Sequence, residues 1–140
     1  MLKLLDAFPL LLLMIVAYGI FVLTTGGPNV AAALDSELLD IGITSGDQLV
    51  FTVGDMFILV AFILLFIEII KSTHTGTVSL LNHGFSAAVM VIAVVLLLIA
   101  QGFGSTTFLF ITLMTMFDVI AGFVITTITA RRDIGFGGNI

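Results

Sequence analysis

The sequence predicts an all-α membrane protein: four transmembrane helices in a compact bundle, both termini cytoplasmic, with a short helix and a β-hairpin in the first outer loop. Three observations lead there. Hydrophobic residues make up 60% of the 140-residue chain and charged residues 9%, against about 45–50% and about 25% in soluble domains, so the charge that a water-facing surface requires is missing. The apolar residues gather in four runs, 8–25, 53–70, 84–101 and 107–129, each near the roughly 17–25 residues that cross a bilayer as a helix. The cations Lys3, Lys71, Arg131 and Arg132 all fall on one side of that four-span path, which the positive-inside rule makes cytoplasmic.

Residues 1–140 read as a single membrane domain. In lipid every backbone N–H and C=O must be paired within a helix or a closed barrel, and the runs show none of the alternation of barrel strands. The first span carries Pro9 in its opening turn, where a missing N–H costs nothing, and ends at Gly26-Gly27-Pro28, a C-cap followed by a helix breaker. At 8–25 it is longer than the 7–15-residue core of a secretory signal, and a retained anchor is expected.

The outer loop, 26–52, carries Asp35, Glu37, Asp40 and Asp47 and no base. Asn29 is placed to cap a short helix through about Leu39, in which Val30, Leu34, Leu38 and Ile41 recur at helical spacing and lie on the membrane surface. Asp40-Ile41-Gly42-Ile43 and Gln48-Leu49-Val50-Phe51 then flank the turn-rich Thr44-Ser45-Gly46-Asp47 as a β-hairpin. Thr52-Val53-Gly54-Asp55 has the spacing of a capping box and opens the second span. An inner loop, 71–83, leads to the third span. A tight turn containing Gly102 and Gly104 follows, and Ser105 or Thr106 caps the fourth span. The tail, 130–140, begins with Arg131-Arg132-Asp133, a stop-transfer and anionic-lipid anchor, and its glycine-rich end is expected to be mobile.

Asp118 is the leading functional candidate. Counted along the run 107–129 it falls near the middle of the fourth span, where insertion scales charge an aspartate about 2.5–3.5 kcal/mol, so an ionisable group there is a functional hypothesis by default. At 100° per residue Thr107, Ile111, Thr115, Asp118, Gly122, Ile125 and Thr129 share one stripe. That stripe faces protein, with Thr107, Thr115, Asp118 and Gly122 as a polar packing seam. Two readings stay open: a neutral carboxyl that hydrogen-bonds a neighbouring helix, or a proton or cation relay. The sequence offers no second intramembrane charge to serve a relay, which favours the first.

His83 and Gln101 share a face of the third span with Ser86 and mark its opposite ends. His83 is then an interface or pH-sensitive group. Haem ligation would need a second imidazole at the same depth, and His74 sits in a loop. Glu68 and Lys71 pair at i, i+3 while Lys71 snorkels to the head groups, so both read as anchors together with Arg131 and Arg132. Asp55 reads as a capping carboxylate at a helix N-terminus.

No cysteine is present, which removes thiolate metal sites and thiol nucleophiles. Nucleophile elbows, HExxH, phosphate-cradling glycine loops and dinucleotide fingerprints are likewise missing. No catalytic residue, metal or cofactor is assigned, and two arginines are too few for a nucleic-acid patch. The expected partners are the lipid bilayer and other membrane subunits or further copies of the chain.

The stretch Ile69-Ile70-Lys71-Ser72-Thr73-His74-Thr75-Gly76 with Leu81-Asn82-His83, and the stretch Phe117-Asp118-Val119-Ile120-Ala121-Gly122-Phe123 leading to Ala130-Arg131-Arg132-Asp133, resemble a group of small four-span bacterial inner-membrane proteins with no assigned activity. The resemblance covers nearly the whole chain and implies a four-helix inner-membrane fold. The expected function is a non-catalytic structural or accessory subunit, self-associating or docked on a larger inner-membrane complex. The alternative is a small oligomeric channel or proton-coupled carrier using Asp118.

Overall fold

The structure is a computed structural model that describes residues 8–72 and 77–136, without the side chains of residues 77–80, 126 and 129–136. Helix α1 covers Leu11–Thr25, a 3-10 turn Gly27–Asn29, and a short helix α2 Val30–Leu34. Strands β1, Glu37–Gly42, and β2, Gln48–Thr52, follow, and then three long helices, α3 Val53–Ser72, α4 Thr77–Ile99 and α5 Thr106–Phe136. Three helical segments, Val53–Ser72, Leu81–Ile99 and Thr106–Ile125, are long and apolar enough to cross a membrane. Helix α1 has 15 residues and reaches spanning length only together with Gly27–Leu34, from which it is bent by 105°.

Each boundary has a local cause. Helix α1 stops where Gly26 turns to φ +79° and its N–H returns to the Val22 carbonyl at 3.0 Å, a geometry that glycine adopts at least cost. Helix α3 opens on a reciprocal capping box: the Thr52 N–H donates to Asp55 Oδ2 at 3.0 Å and the Asp55 N–H donates to Thr52 Oγ1 at 3.2 Å. For α5, Ser105 Oγ accepts the Phe108 N–H at 3.1 Å. Asn29 makes no side-chain cap.

The loop helix is shorter than expected, ending at Leu34 instead of Leu39. Ser36 bonds back to the Ala33 carbonyl through both its N–H and its hydroxyl, and its own carbonyl accepts the Val53 N–H at 3.0 Å. The chain from Glu37 onward is then committed to antiparallel pairing, with Asp40 opposite Val50 and Ile41 opposite Leu49. Leu38 and Ile41 therefore belong to the hairpin, while Val30 and Leu34 are buried against protein instead of lying on a membrane surface. Within the expected 71–83 loop, residues 71 and 72 belong to α3 and residues 77–83 to α4. At the other end α5 continues to Phe136, through most of the expected tail. Lys3, His74 and the last four tail residues lie outside the described residues, as do the side chains of Arg131 and Arg132.

Helix α5 packs along both α3 and α4, and α1 touches all three. Small residues allow the close approaches: Ala61 and Ala93 are fully buried, and a Cβ on Gly54 would stand 2.7 Å from Thr107 Oγ1. At the hairpin end the core is aromatic. Tyr18 is fully buried among Phe57, Phe103 and Phe108, with ring centroids 4.8–5.5 Å apart, and its hydroxyl meets Ser105 Oγ at 2.6 Å and donates to the Gly102 carbonyl at 3.2 Å. That hydroxyl satisfies the polar tip that burial of a tyrosine requires.

Candidate functional site

The opposite end of the molecule holds a buried polar cluster drawn from every long helix. Its centre is Glu68, four residues before the end of α3 and 0% exposed. Three donors meet its carboxylate: the Leu10 N–H at the start of α1 at 3.0 Å, Asn82 Nδ2 of α4 at 2.6 Å, and Lys71 Nζ at 3.2 Å. Lys71 also donates to the Phe8 carbonyl at 2.8 Å. The i, i+3 pair exists as expected, but its carboxylate is turned into protein and not toward head groups. The orphan N–H that opens α1 supplies the physical reason, since an unsatisfied donor there would be costly in apolar surroundings.

Asp118 of α5 joins the same cluster. It is 2% exposed, faces the Ser86 hydroxyl of α4, and lies within electrostatic reach of both Glu68 and Lys71. The stripe read from the sequence does face protein: Thr107, Ile111, Thr115, Asp118 and Gly122 are all buried. The two threonine hydroxyls nearest Asp118 in sequence are spent on their own helix, Thr112 Oγ1 donating to the Phe108 carbonyl at 2.9 Å and Thr115 Oγ1 to the Thr112 carbonyl at 2.7 Å. The hydroxyl at the carboxyl therefore comes from Ser86.

His83 is not at a loop boundary but seven positions into α4, with its imidazole laid over Gly122 so closely that a Cβ there would overlap the ring. It lies within Coulombic range of Glu68. Gln101 has no part in the cluster. Helix α4 ends at Ile99 and the chain turns through Gly102 at φ +87°, so the shared helical face does not extend to Gln101, which is exposed and packs on Gly27.

The arrangement gathers two carboxyls, an ammonium, an imidazole, an amide and a hydroxyl between three helices. Among the described residues no group of three or more His, Cys, Asp or Glu side chains is placed to hold a metal ion. Asn82 is a participant that sequence reasoning missed, and Ser86, placed there on the His83 face, is given no role by it; the i, i+4 spacing of the two is the signal that could have joined them. Comparison of the chain with protein-family models, curated proteins and solved structures brought no match.

Proposed function

We propose that this chain is a non-catalytic integral subunit of the bacterial inner membrane, with both termini cytoplasmic, that self-associates or docks on a larger membrane complex. The hairpin carries the reading. Leu38, Leu39, Ile41, Ile43, Leu49 and Val50 are all exposed on or beside a two-stranded sheet. A lone hairpin is marginal in water, and these exposed apolar side chains, carried on both of its faces, favour a partner that covers them. The hairpin roots border two apolar hollows on α3, one of about 470 Å³ between Phe51 and Phe62 and one of about 270 Å³ between Leu38, Met14 and Val60. The seam on α5 is buried inside the chain, while the hairpin offers an exposed apolar surface outside the long helices. Purification from native membranes in mild detergent through a C-terminal tag, followed by mass determination, tests this. Stoichiometric co-elution with larger membrane proteins, or a homo-oligomer, supports it, and a lone monomer overturns it.

A second reading, a small oligomeric channel or proton-coupled carrier, is favoured by one observation: Glu68 gives Asp118 the second buried carboxyl that a relay requires. Flux in liposomes that survives Asp118→Asn unchanged would remove it.

A further inference from the structure

The cluster holds a buried hydrogen-bond acceptor that no described donor serves. Asn82 Nδ2 donates to Glu68 at 2.6 Å, which fixes the amide orientation and makes the Asn82 oxygen an acceptor by necessity. That oxygen is buried and has no hydrogen-bond partner among the described residues. One turn further along α4, Ser86 Oγ is buried too and faces the Asp118 carboxyl, and it makes no well-formed hydrogen bond to that carboxyl or to the Asn82 oxygen. If Asp118 is ionised, the Ser86 hydroxyl turns to the carboxylate and the Asn82 oxygen stays unserved. A proton on Asp118 resolves both ends.

Charge leads to the same place. Glu68 and Lys71 pair at 3.2 Å, so among the described residues the positive charge within reach of Asp118, 2% exposed, is shared with Glu68. A buried carboxylate is costly unless it is paired or neutralised. Among the described residues the charged groups within electrostatic reach of it are Glu68 and Lys71 from α3; His83 from α4 is within reach of Glu68, and the chain leading into α1 brings the Leu10 N–H to Glu68 and the Phe8 carbonyl to Lys71.

We propose that Asp118, Ser86 and Asn82 form a proton-binding site, in which the protonated Asp118 carboxyl donates to the Ser86 hydroxyl and that hydroxyl donates to the Asn82 oxygen. The step is an acid–base association: a lone pair of the Asp118 carboxylate takes a proton from water at the Lys71 end, an O–H bond forms, and nothing is oxidised. Asn82 in turn holds Glu68, so the chain of donors runs from α5 through α4 to the carboxylate that pins α1. The proposal concerns where a proton resides and not whether it crosses the membrane, so it stands apart from both readings of function.

Infrared difference spectroscopy across a pH titration, on the full chain in liposomes with carboxyl-13C aspartate, tests it. The expected result is a carboxylic-acid C=O band that carries the aspartate isotope shift, titrates apart from the exposed aspartates, vanishes in Asp118→Asn, and moves to higher frequency in Ser86→Ala as the acid loses its acceptor. No protonated aspartate band apart from the exposed ones would overturn it, because His83 would then supply the balancing charge. A band indifferent to Ser86→Ala would overturn it as well. Should Asp118→Asn fail to fold, the labelled wild type and Ser86→Ala decide between these outcomes on their own.

Discussion

Glu68 is the residue whose removal should cost most. Glu68→Leu keeps the volume roughly, leaves the Leu10 N–H and the Asn82 amide without their acceptor, and takes the counter-charge from Lys71, which keeps the Phe8 carbonyl. Each neutral donor left buried costs about 1–3 kcal/mol. Breaking one side of a buried ion pair costs about 3–5 kcal/mol, but Lys71 is 18% exposed and can swing toward water, so the lower end applies to it. The expected loss is about 3–5 kcal/mol, since the terms share one site and do not add in full. The double variant Glu68→Leu/Lys71→Met should recover part of that loss, because the uncompensated charge goes with the lysine. The measurement is reversible unfolding in mixed micelles followed by helical circular dichroism, with amide exchange at Leu10 as a local readout. A Glu68→Leu protein within about 0.5 kcal/mol of wild type, the range of ordinary surface changes, would refute the claim that this carboxylate ties α1, α3 and α4 together.

Three further outcomes follow from particular contacts. Gly122→Ala drives a methyl into the His83 ring and should cost about 1–3 kcal/mol in the same unfolding assay, as overpacking does; His83→Ala in the same chain should restore most of it. Tyr18→Phe keeps the aromatic packing and removes the hydroxyl from Ser105 and Gly102, for about 0.5–1.5 kcal/mol, with faster amide exchange confined to the α4–α5 turn. Asp55→Ala opens the capping box at the root of α3 for about 0.5–2 kcal/mol, and exchange should rise at Thr52 and the first turn of α3 while the Glu68 cluster is unaffected.

What could be read from the sequence is what depends on near neighbours. Thr52 and Asp55 sit three apart, Ser105 precedes an apolar run, Gly26 follows one, and the Asp118 stripe is a property of helical periodicity; the structure has all four. The short loop helix fails for the converse reason. Val30, Leu34, Leu38 and Ile41 have helical spacing, but the pairing partner of Leu38 and Ile41 lies beyond the turn, and cross-strand bonds outweigh a few tenths of a kcal/mol of propensity per residue. Glu68 is misread as a surface anchor because its burial depends on α1 and α4 meeting over it. Nothing within one turn of Glu68 in sequence carries that information. The inference that Asp118 lacks a second charge inherits the same error, since Glu68 and Asp118 are far apart in the chain and become neighbours only when α3 and α5 pack.

The same cluster bears on whether α1 crosses the membrane at all, given its 15 residues and a rise of about 22 Å against a hydrocarbon core of about 30 Å. Leu10 lies level with Glu68 through their hydrogen bond, and Tyr18 lies level with Ser105 at the other end. Fifteen residues separate Leu10 from Thr25 and the same number separate Val53 from Glu68, so α1 runs beside α3 over all but its last turn. The missing turn is where a helix start would leave an unsatisfied N–H at depth, and Glu68 is the acceptor placed to meet it. A crossing α1 puts residue 3 on the side of residue 133 and opposite the hairpin tip. Because the chain has no cysteine, single substitutions Lys3→Cys, Ser45→Cys and Asp133→Cys can be labelled with a membrane-impermeant maleimide in intact cells without background. Ser45→Cys should label at once, and the other two only after the membrane is opened. Labelling of Lys3→Cys together with Ser45→Cys would make α1 re-entrant, and the Glu68 contact would then anchor a loop that turns back inside the bilayer instead of completing a span.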